Sequence, residues 1–400
     1  MDIFGKMRVF KYVNPITENP SERRRKQQQN AKITKIIELK GYYMSYLAER
    51  SCMPTKLMDC TLRDGSYAVD FQFTAKFTGE LSRALDMLGF EYIEVGHGIG
   101  IGATDRVRRA IATDHEYAKA AETAVTNSKW GMFAIPNIAS LDEVDAMFDQ
   151  GMDFVRVGID ALELESGIGF LEKVIKPGRE VFVNFMKSYA LSTGELGKRV
   201  KMASEVGVDG IYLVDSAGGI LPNDLEVLSE VLFENRGDAQ LGFHGHDNLG
   251  LALANSLQLA LQGFDIIDCT LQGLGRSSGN AGTEKLVALL NRTKLNEEFT
   301  VSDVLKVGED LVRPKIPLAG HSGLDTFAGY TLFHTSYMDN LISVSRDLGV
   351  DPYVLMQEHC KKNLVSASIA ELQDLAKVLK ESGQTIDVPL PADRYIGLDQ

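Results

Sequence analysis

Cysteine is scarce in this chain of 400 residues, and its four copies, Cys52, Cys60, Cys269 and Cys360, form no CxxC pair and no regular spacing. A disulfide framework and a cysteine-built zinc module are excluded on that ground. Cys60 and Cys269 stand inside apolar strand-like runs, where a reduced thiol packs as a small hydrophobe, so a cytoplasmic setting is expected. No apolar run approaches the ~20 residues that a membrane helix needs. The opening MDIFGKMRVFKYVNP scatters charge through its apolar residues, and no secretory signal is expected there. Positive charge is also in deficit. With 42 Lys and Arg against 55 Asp and Glu, the net charge of −13 argues against general nucleic-acid binding, because phosphate contacts need a basic surface. The one basic cluster, SERRRKQQQ at 21–29, reads as a solvated helix face.

What the chain does have is 44% hydrophobic residues, enough for a sizeable core, and a repeated pattern. Its length exceeds one average domain but suits a barrel with an appendage. Residues 1–54 form a charged N-terminal extension with a predicted helix around 21–50. From residue 56 onward, short apolar or β-branched runs alternate with amphipathic stretches. Eight such runs stand out: KLMDCTL (56–62), YIEVGHG (92–98), WGMFAIP (130–136), FVRVGI (154–159), EVFVNFM (180–186), GIYLVD (210–215), QLGFHGH (240–246) and DIIDCTL (265–271). Near-continuous apolar strands separated by helices predict a parallel sheet covered on both faces. Eight repeats predict a closed α/β architecture, a (β/α)8 TIM barrel over 55–295, rather than an open doubly wound sheet. Residues 296–400 carry no strand signal. VSDVLKVGEDLV, DTFAGYTLFHTSYMDNLISVSRDLG, DPYVLMQEHCKKNLV and SIAELQDLAKVLKESG read as helices of a C-terminal domain that ends in a loose tail, PADRYIGLDQ.

In such a barrel the chemistry sits at the C-terminal ends of the strands, a rule that selects two segments. Thr61-Leu62-Arg63-Asp64-Gly65 leaves the first strand, and Phe243-His244-Gly245-His246 leaves the seventh. Residues i and i+2 of an extended segment face one side, so His244 and His246 can both enter the barrel mouth. Closure puts strand 1 beside strand 8 and strand 8 beside strand 7, which brings Asp64 to the two histidines. Two imidazoles and a carboxylate suit Mn²⁺, Mg²⁺, Co²⁺, Fe²⁺ or Zn²⁺ and leave positions open for substrate and water. A 2-oxo acid can chelate such an ion through its carboxylate and ketone oxygens, and the ion then stabilises the enolate left when an adjacent C–C bond breaks. Arg63 would add a fixed positive charge beside the same oxygen. After strand 6, Asp215-Ser216-Ala217-Gly218-Gly219 offers backbone N–H groups to a carboxylate or forms a structural turn. The loop from Gly273 to Asn280, GLGRSSGN, is a glycine pattern common in barrel loops, some of which bind phosphate and would suit a coenzyme A substrate.

TLRDG, GFHGHDNLGLALANS and GLGRSSGN together resemble the metallolyase barrels related to 3-hydroxy-3-methylglutaryl-CoA lyase and isopropylmalate synthase. Within them, IEVGHGIG, IYLVDSAGGILPNDL and GFHGHDNLGLALANS, in that order, most resemble the 4-hydroxy-2-oxovalerate aldolase family, from about residue 56 to about residue 390. The resemblance implies reversible, divalent-metal-dependent cleavage of a 4-hydroxy-2-oxo acid into pyruvate and an aldehyde, with Mn²⁺ the first choice of metal. It implies Asp64, His244 and His246 as metal ligands, Asn280 as a further one, and Arg63 as the residue that steadies the pyruvate enolate. Tyr330, in AGYTLFHTSY, matches a tyrosine that reaches the substrate pocket from the C-terminal domain. One position departs. Two residues after Gly65 the aldolases carry a histidine that serves as base for the 4-hydroxyl, whereas this chain has Tyr67. A phenol with pKa near ~10 is a poor base unless its surroundings depress it. Three readings stand open: Tyr67 as a tuned phenolate, a hydroxide on the metal, or His97, which ends strand 2 in VGHGIG.

The resemblance also implies partners: a small-molecule 2-oxo acid, an acylating aldehyde dehydrogenase docked through the C-terminal helices, and a second copy in a homodimer. Neither nucleic acid nor membrane is expected. The alternative is an acyl-CoA-dependent condensing enzyme of the isopropylmalate or citramalate synthase type. Against it stand Tyr67, where those synthases usually carry glutamine, and the aldolase-like appendage. An Fe²⁺ oxygenase would use the same ligand set, but TLRDG with HGH argues against it. A scaffold that has lost its base is opposed by the retention of Arg63, Asp64 and both histidines. Residues 1–54 lie outside the resemblance.

Overall fold

The computed structural model describes residues 55–316 and 323–384, so the predicted helix around 21–50, the basic cluster and the tail lie outside the described residues. Eight parallel strands close into a barrel in chain order: β1 (Lys56–Asp59), β2 (Tyr92–Val95), β3 (Lys129–Ala134), β4 (Phe154–Asp160), β5 (Glu180–Met186), β6 (Gly210–Asp215), β7 (Gln240–Gly245) and β8 (Ile266–Cys269). β8 pairs back onto β1, with Met58 beside Asp268. Each strand overlaps one of the eight apolar runs, as expected for a (β/α)8 barrel, with β3 starting one residue before its run and β4 ending one residue past it. Several runs overshoot their strands at the C-terminal end. KLMDCTL continues past Asp59, where β1 stops, and the overshoot is chain that turns into the barrel mouth.

The longer helices between the strands are α1 (Ala75–Leu88), α2 (Asp114–Ala124), α3 (Leu141–Asp149), α4 (Leu164–Val174), α5 (Thr193–Val206), α6 (Pro222–Asn235) and α7 (Ala252–Leu261), with α8 (Thr283–Thr293) after β8. Their ends are locally encoded. Thr113 with Glu116, Ser140 with Glu143, and Ser192 with Glu195 each form a reciprocal cap that satisfies first-turn N–H groups. α1 stops at Gly89, whose φ of 90° is open to glycine at little cost.

Alternation along the strands divides each one between two environments. Leu57, Ile93, Val155, Val157, Val181, Val183, Ile211, Leu213, Leu241 and Ile267 face outward into the main core, packed under the helices. The opposite parity fills the barrel in layers, the usual construction of this fold. The lowest layer is apolar: Met58, Tyr92, Phe154, Phe182, Tyr212 and Ile266, with Tyr92, Phe154, Phe182 and Tyr212 linked edge to face. Two residues further along four of these strands stand Glu94, Arg156, Asn184 and Asp268, with His244 on β7 beside them, all buried. The barrel is therefore sealed at its base and polar towards its C-terminal mouth.

Beyond the barrel lie α9 (Val301–Val307), α10 (Gly323–Thr331), α11 (Met338–Leu348), α12 (Pro352–Cys360) and α13 (Ile369–Glu381). Leu324, Phe333, Leu341, Leu355, Leu372 and others form a second apolar cluster there. The stretch DTFAGYTLFHTSYMDNLISVSRDLG is not continuous helix: it breaks at Leu332, where φ is 61°, and re-enters through a 3-10 turn at Thr335–Tyr337. The break brings His334 and Ser336 to the cavity at the barrel mouth. Among the described residues, no helix is long and apolar enough to cross a membrane. Cys60 and Cys269 are unbridged and fully buried in the barrel wall.

Candidate active site

Past β1 the chain tightens into a 3-10 turn, Asp64–Val69, which carries Asp64 over the barrel mouth. Past β7, His246 makes an isolated antiparallel bridge with Asn280. Asp64, His244 and His246 are buried, and each offers a ligand atom within 4.8 Å of the other two. One Asp64 oxygen accepts from Arg63 Nη1 at 2.7 Å; the other accepts from Asn280 Nδ2 at 2.6 Å and lies 4.0 Å from His244 Nε2.

The electrostatics put Asp64 and His246 in metal-binding form. Burial alone would raise the Asp64 pKa, but Arg63 and the two histidines outweigh it and hold the carboxyl well below its ordinary range. Burial pushes His246 well below its ordinary value, so its ring is neutral. Metal ligands must be deprotonated in this way. His246 Nδ1 and Asn280 Oδ1 are buried and accept no hydrogen bond among the described residues. The donor set fits a divalent cation held by Asp64, His244 and His246, with Asn280 Oδ1 beside them. A second cluster, Cys60, His244 and Asp268, has the Arg156 guanidinium against it instead. The Arg156 guanidinium donates to Asp268 at 2.5 Å and reaches Cys60 Sγ at 3.2 Å, and burial pushes the Cys60 thiol up, so it stays protonated.

Beneath the ligands runs a buried network that sequence reading passed over. His244 Nδ1 lies 2.8 Å from Asp268 Oδ2, which leaves Nε2 towards Asp64. Asp268 joins Arg156, Arg156 joins both oxygens of Glu94 at 2.8 and 2.5 Å, and Glu94 accepts from Arg63 Nε at 2.6 Å. The chain of contacts runs from a metal ligand to the arginine beside it and fixes both. A signal for it was present: YIEV, FVRV and IIDC each place one charge inside an apolar strand, on the inward parity.

A cavity of about 310 Å³ opens on the ligands, lined by Arg63, Asp64, Tyr67, His244 and His246 among others. Tyr67 is there because Gly98 permits it; a Cβ at 98 would stand 2.7 Å from the Tyr67 ring. Tyr330 belongs to α10, but its side chain lies outside the described residues. His97 is not brought to the cavity. Its Nε2 lies 2.8 Å from the Arg108 carbonyl, its Nδ1 accepts from Ile99 N–H at 3.0 Å, and its ring stacks on Phe71. Both nitrogens are committed to loop backbone. The turn after β6 is structural. Its N–H groups at Gly219 and Ile220 receive the chain's own Asp215 carboxylate, each at 3.0 Å. The loop from Gly273 to Asn280 serves Asn280: a Cβ at Gly275 would stand 2.6 Å from its Nδ2, and Gly279 takes φ 88°.

Residues 55–311 match the family model described as HMGL-like. An oxaloacetate decarboxylase of Mycobacterium tuberculosis is 40% identical over 59% of this chain and 70% of its own length. A 4-hydroxy-2-oxovalerate aldolase of Rhodococcus jostii is 32% identical over 84% of this chain and 98% of its own length. Among solved structures, the carboxyl transferase domain of Rhizobium etli pyruvate carboxylase shares the fold with a TM-score of 0.66 at 16% identity, covering 84% of this chain and 62% of that one.

Proposed function

The chain belongs to the HMGL-like family as an aldolase-like carbon–carbon lyase, and from that premise we propose that it cleaves a 4-hydroxy-2-oxo acid reversibly into pyruvate and an aldehyde. The observation that carries this reading is the buried Asp64, His244 and His246 cluster beside Arg63 at the barrel mouth. A bound divalent cation, Mn²⁺ first and Mg²⁺, Co²⁺ or Zn²⁺ in its place, would polarise the ketone and take up negative charge as the bond breaks.

The remaining work falls to side chains. Glu94 and Asp64 hold Arg63 from two sides, and its guanidinium lies 4.7 Å over the Phe133 ring. A donor fixed in this way stabilises charge developing on the C2 oxygen with no reorganisation at the moment of reaction. In the cleavage, the C3–C4 bond breaks and its electron pair passes into the pyruvyl fragment. The 4-hydroxyl loses its proton as it becomes the aldehyde, and C3 gains one to give pyruvate. Of Tyr67 and His97, Tyr67 lines the cavity, so it is the group set to meet the 4-hydroxyl. Tyr330 is assigned to the same pocket on family resemblance.

The test is a coupled assay for pyruvate from 4-hydroxy-2-oxo acids of increasing chain length. It uses metal-stripped protein to which Mn²⁺, Mg²⁺, Co²⁺ or Zn²⁺ is returned. Metal-dependent pyruvate, lost in D64N and H244A, is the expected result; confirmed metal binding with no pyruvate from any substrate would end the reading. The similarity to an oxaloacetate decarboxylase favours a second activity at the same site, because loss of CO₂ from oxaloacetate also leaves a pyruvyl carbanion equivalent. Homodimerisation and docking of an acylating aldehyde dehydrogenase through the C-terminal helices belong to the same proposal. Sedimentation and co-purification test them.

A further inference from the structure

Beyond the ligands, the cavity carries charged groups that bond cleavage does not use. Arg276, on the loop after β8, donates from Nη2 to the Ser216 carbonyl at 3.2 Å and lies 3.5 Å from His246 Nε2. Among the described residues, no carboxylate pairs with it. Lys187, just past β5, holds a left-handed backbone with φ 58°, uncommon for a residue with a side chain. Its N–H donates to Ser216 Oγ at 3.1 Å, and its side chain, 12% exposed, places the ammonium 3.0 Å from Asp160. Ser216 thus ties the two cations to one wall of the cavity.

His334 faces the same place. Its Nδ1 lies 2.7 Å from Ser336 Oγ and 3.3 Å from Ser336 N–H; with Nδ1 accepting from that N–H, the ring proton sits on Nε2. Burial first, then Arg276 and Lys187, push its pKa well below the ordinary value, so it is a neutral donor and not a third cation. Asp160 offsets Lys187. Among the described residues Arg276 has no carboxylate partner, in a cavity partly closed to water, an arrangement that is costly unless a ligand supplies the anion. A planar guanidinium with an ammonium and an imidazole N–H at its side suits a carboxylate or a phosphate.

We propose that Arg276, Lys187 and His334 form a second anion subsite, and that the substrate is a 2-oxo acid bearing a carboxylate or phosphate on the half released as aldehyde. The statement about the aldehyde half rests on the aldolase reading above; the anion subsite itself does not. The test titrates the full-length, metal-loaded protein calorimetrically with three 2-oxo acids that lack a 4-hydroxyl: 2-oxopentanoate, 2-oxoglutarate and 2-oxo-4-phosphonobutyrate. One of the two acids with a second anion is expected to bind at least about tenfold tighter than 2-oxopentanoate, and which one does so identifies the natural group. R276Q should bring that ratio to within about threefold of one, and K187Q should lower it less far. Equal binding of all three acids by the unaltered protein overturns the proposal, and that measurement needs no variant to fold. An R276Q protein that loses affinity for all three acids alike overturns it too, because Arg276 would then grip the carboxylate they share. Pyruvate release from a neutral 4-hydroxy-2-oxo acid by the same preparation reports separately on the aldolase reading.

Discussion

Replacing Arg156 by methionine removes the centre of the buried network and keeps most of its volume. The guanidinium is fully buried, as is Glu94, and Asp268 is 3% exposed. Removing one partner of a buried ion pair leaves uncompensated charge and costs about 3–5 kcal/mol. Glu94 supplies an independent figure. Burial would raise its pKa, but Arg156, ahead of Arg63, draws it down from 4.5 to about 2. That depression corresponds to about 3 kcal/mol, at roughly 1.4 kcal/mol per tenfold change in proton affinity. A carboxyl depressed in the folded state stabilises the fold above its unfolded pKa, and the contribution is lost as pH falls through the folded pKa. The deficit of R156M should therefore be full at pH 7 and shrink as the pH drops from about 4.5 towards 2. Urea unfolding of metal-free protein, read by the single, buried Trp130, measures it at pH 7 and again in acid. A deficit under about 1 kcal/mol at pH 7, far below the cost of a broken buried pair, refutes the reasoning. So does a deficit that acid leaves unchanged. R156K should fall between, because one ammonium cannot span both carboxylates.

D268N keeps the shape beside His244 but removes the charge that orients its ring; affinity for Mn²⁺ should fall about 10- to 100-fold, and an unchanged titration would show that Asp268 does not position the ligand. H97A should cost about 1–3 kcal/mol of stability in thermal melts, since two loop hydrogen bonds are lost. Pyruvate release by the folded protein should escape the roughly 10²- to 10⁴-fold loss that follows removal of a catalytic base; such a loss with unchanged melting would restore His97 to that role.

The barrel was legible because its signal is repetitive and local: eight apolar runs, each with a helix after it, leave few other ways to bury both faces of the strands. Arg63, Asp64, His244 and His246 were legible for a related reason. They follow strand ends, and barrel closure alone brings strands 7, 8 and 1 together. Glu94, Arg156 and Asp268 were less so, since an apolar run containing one charge looks like a strand whichever way that charge points. His97 illustrates the limit from the other side. It leaves a strand end as His246 does, yet the loop from His97 to Arg108 folds back and takes both ring nitrogens.

What the sequence by itself determined is therefore the order and type of the elements and the short list of residues at their C-terminal ends, because helix caps, alternation and strand-end position act over a few residues. Only the tertiary structure decided which listed residues share a cavity and which buried charges hold them there. It also decided that a broken helix some 90 residues past His244 brings His334 opposite Lys187 and Arg276. Those outcomes depend on contacts between segments far apart in the chain, where side-chain direction and loop closure decide, and neither can be read from the spacing of residue types.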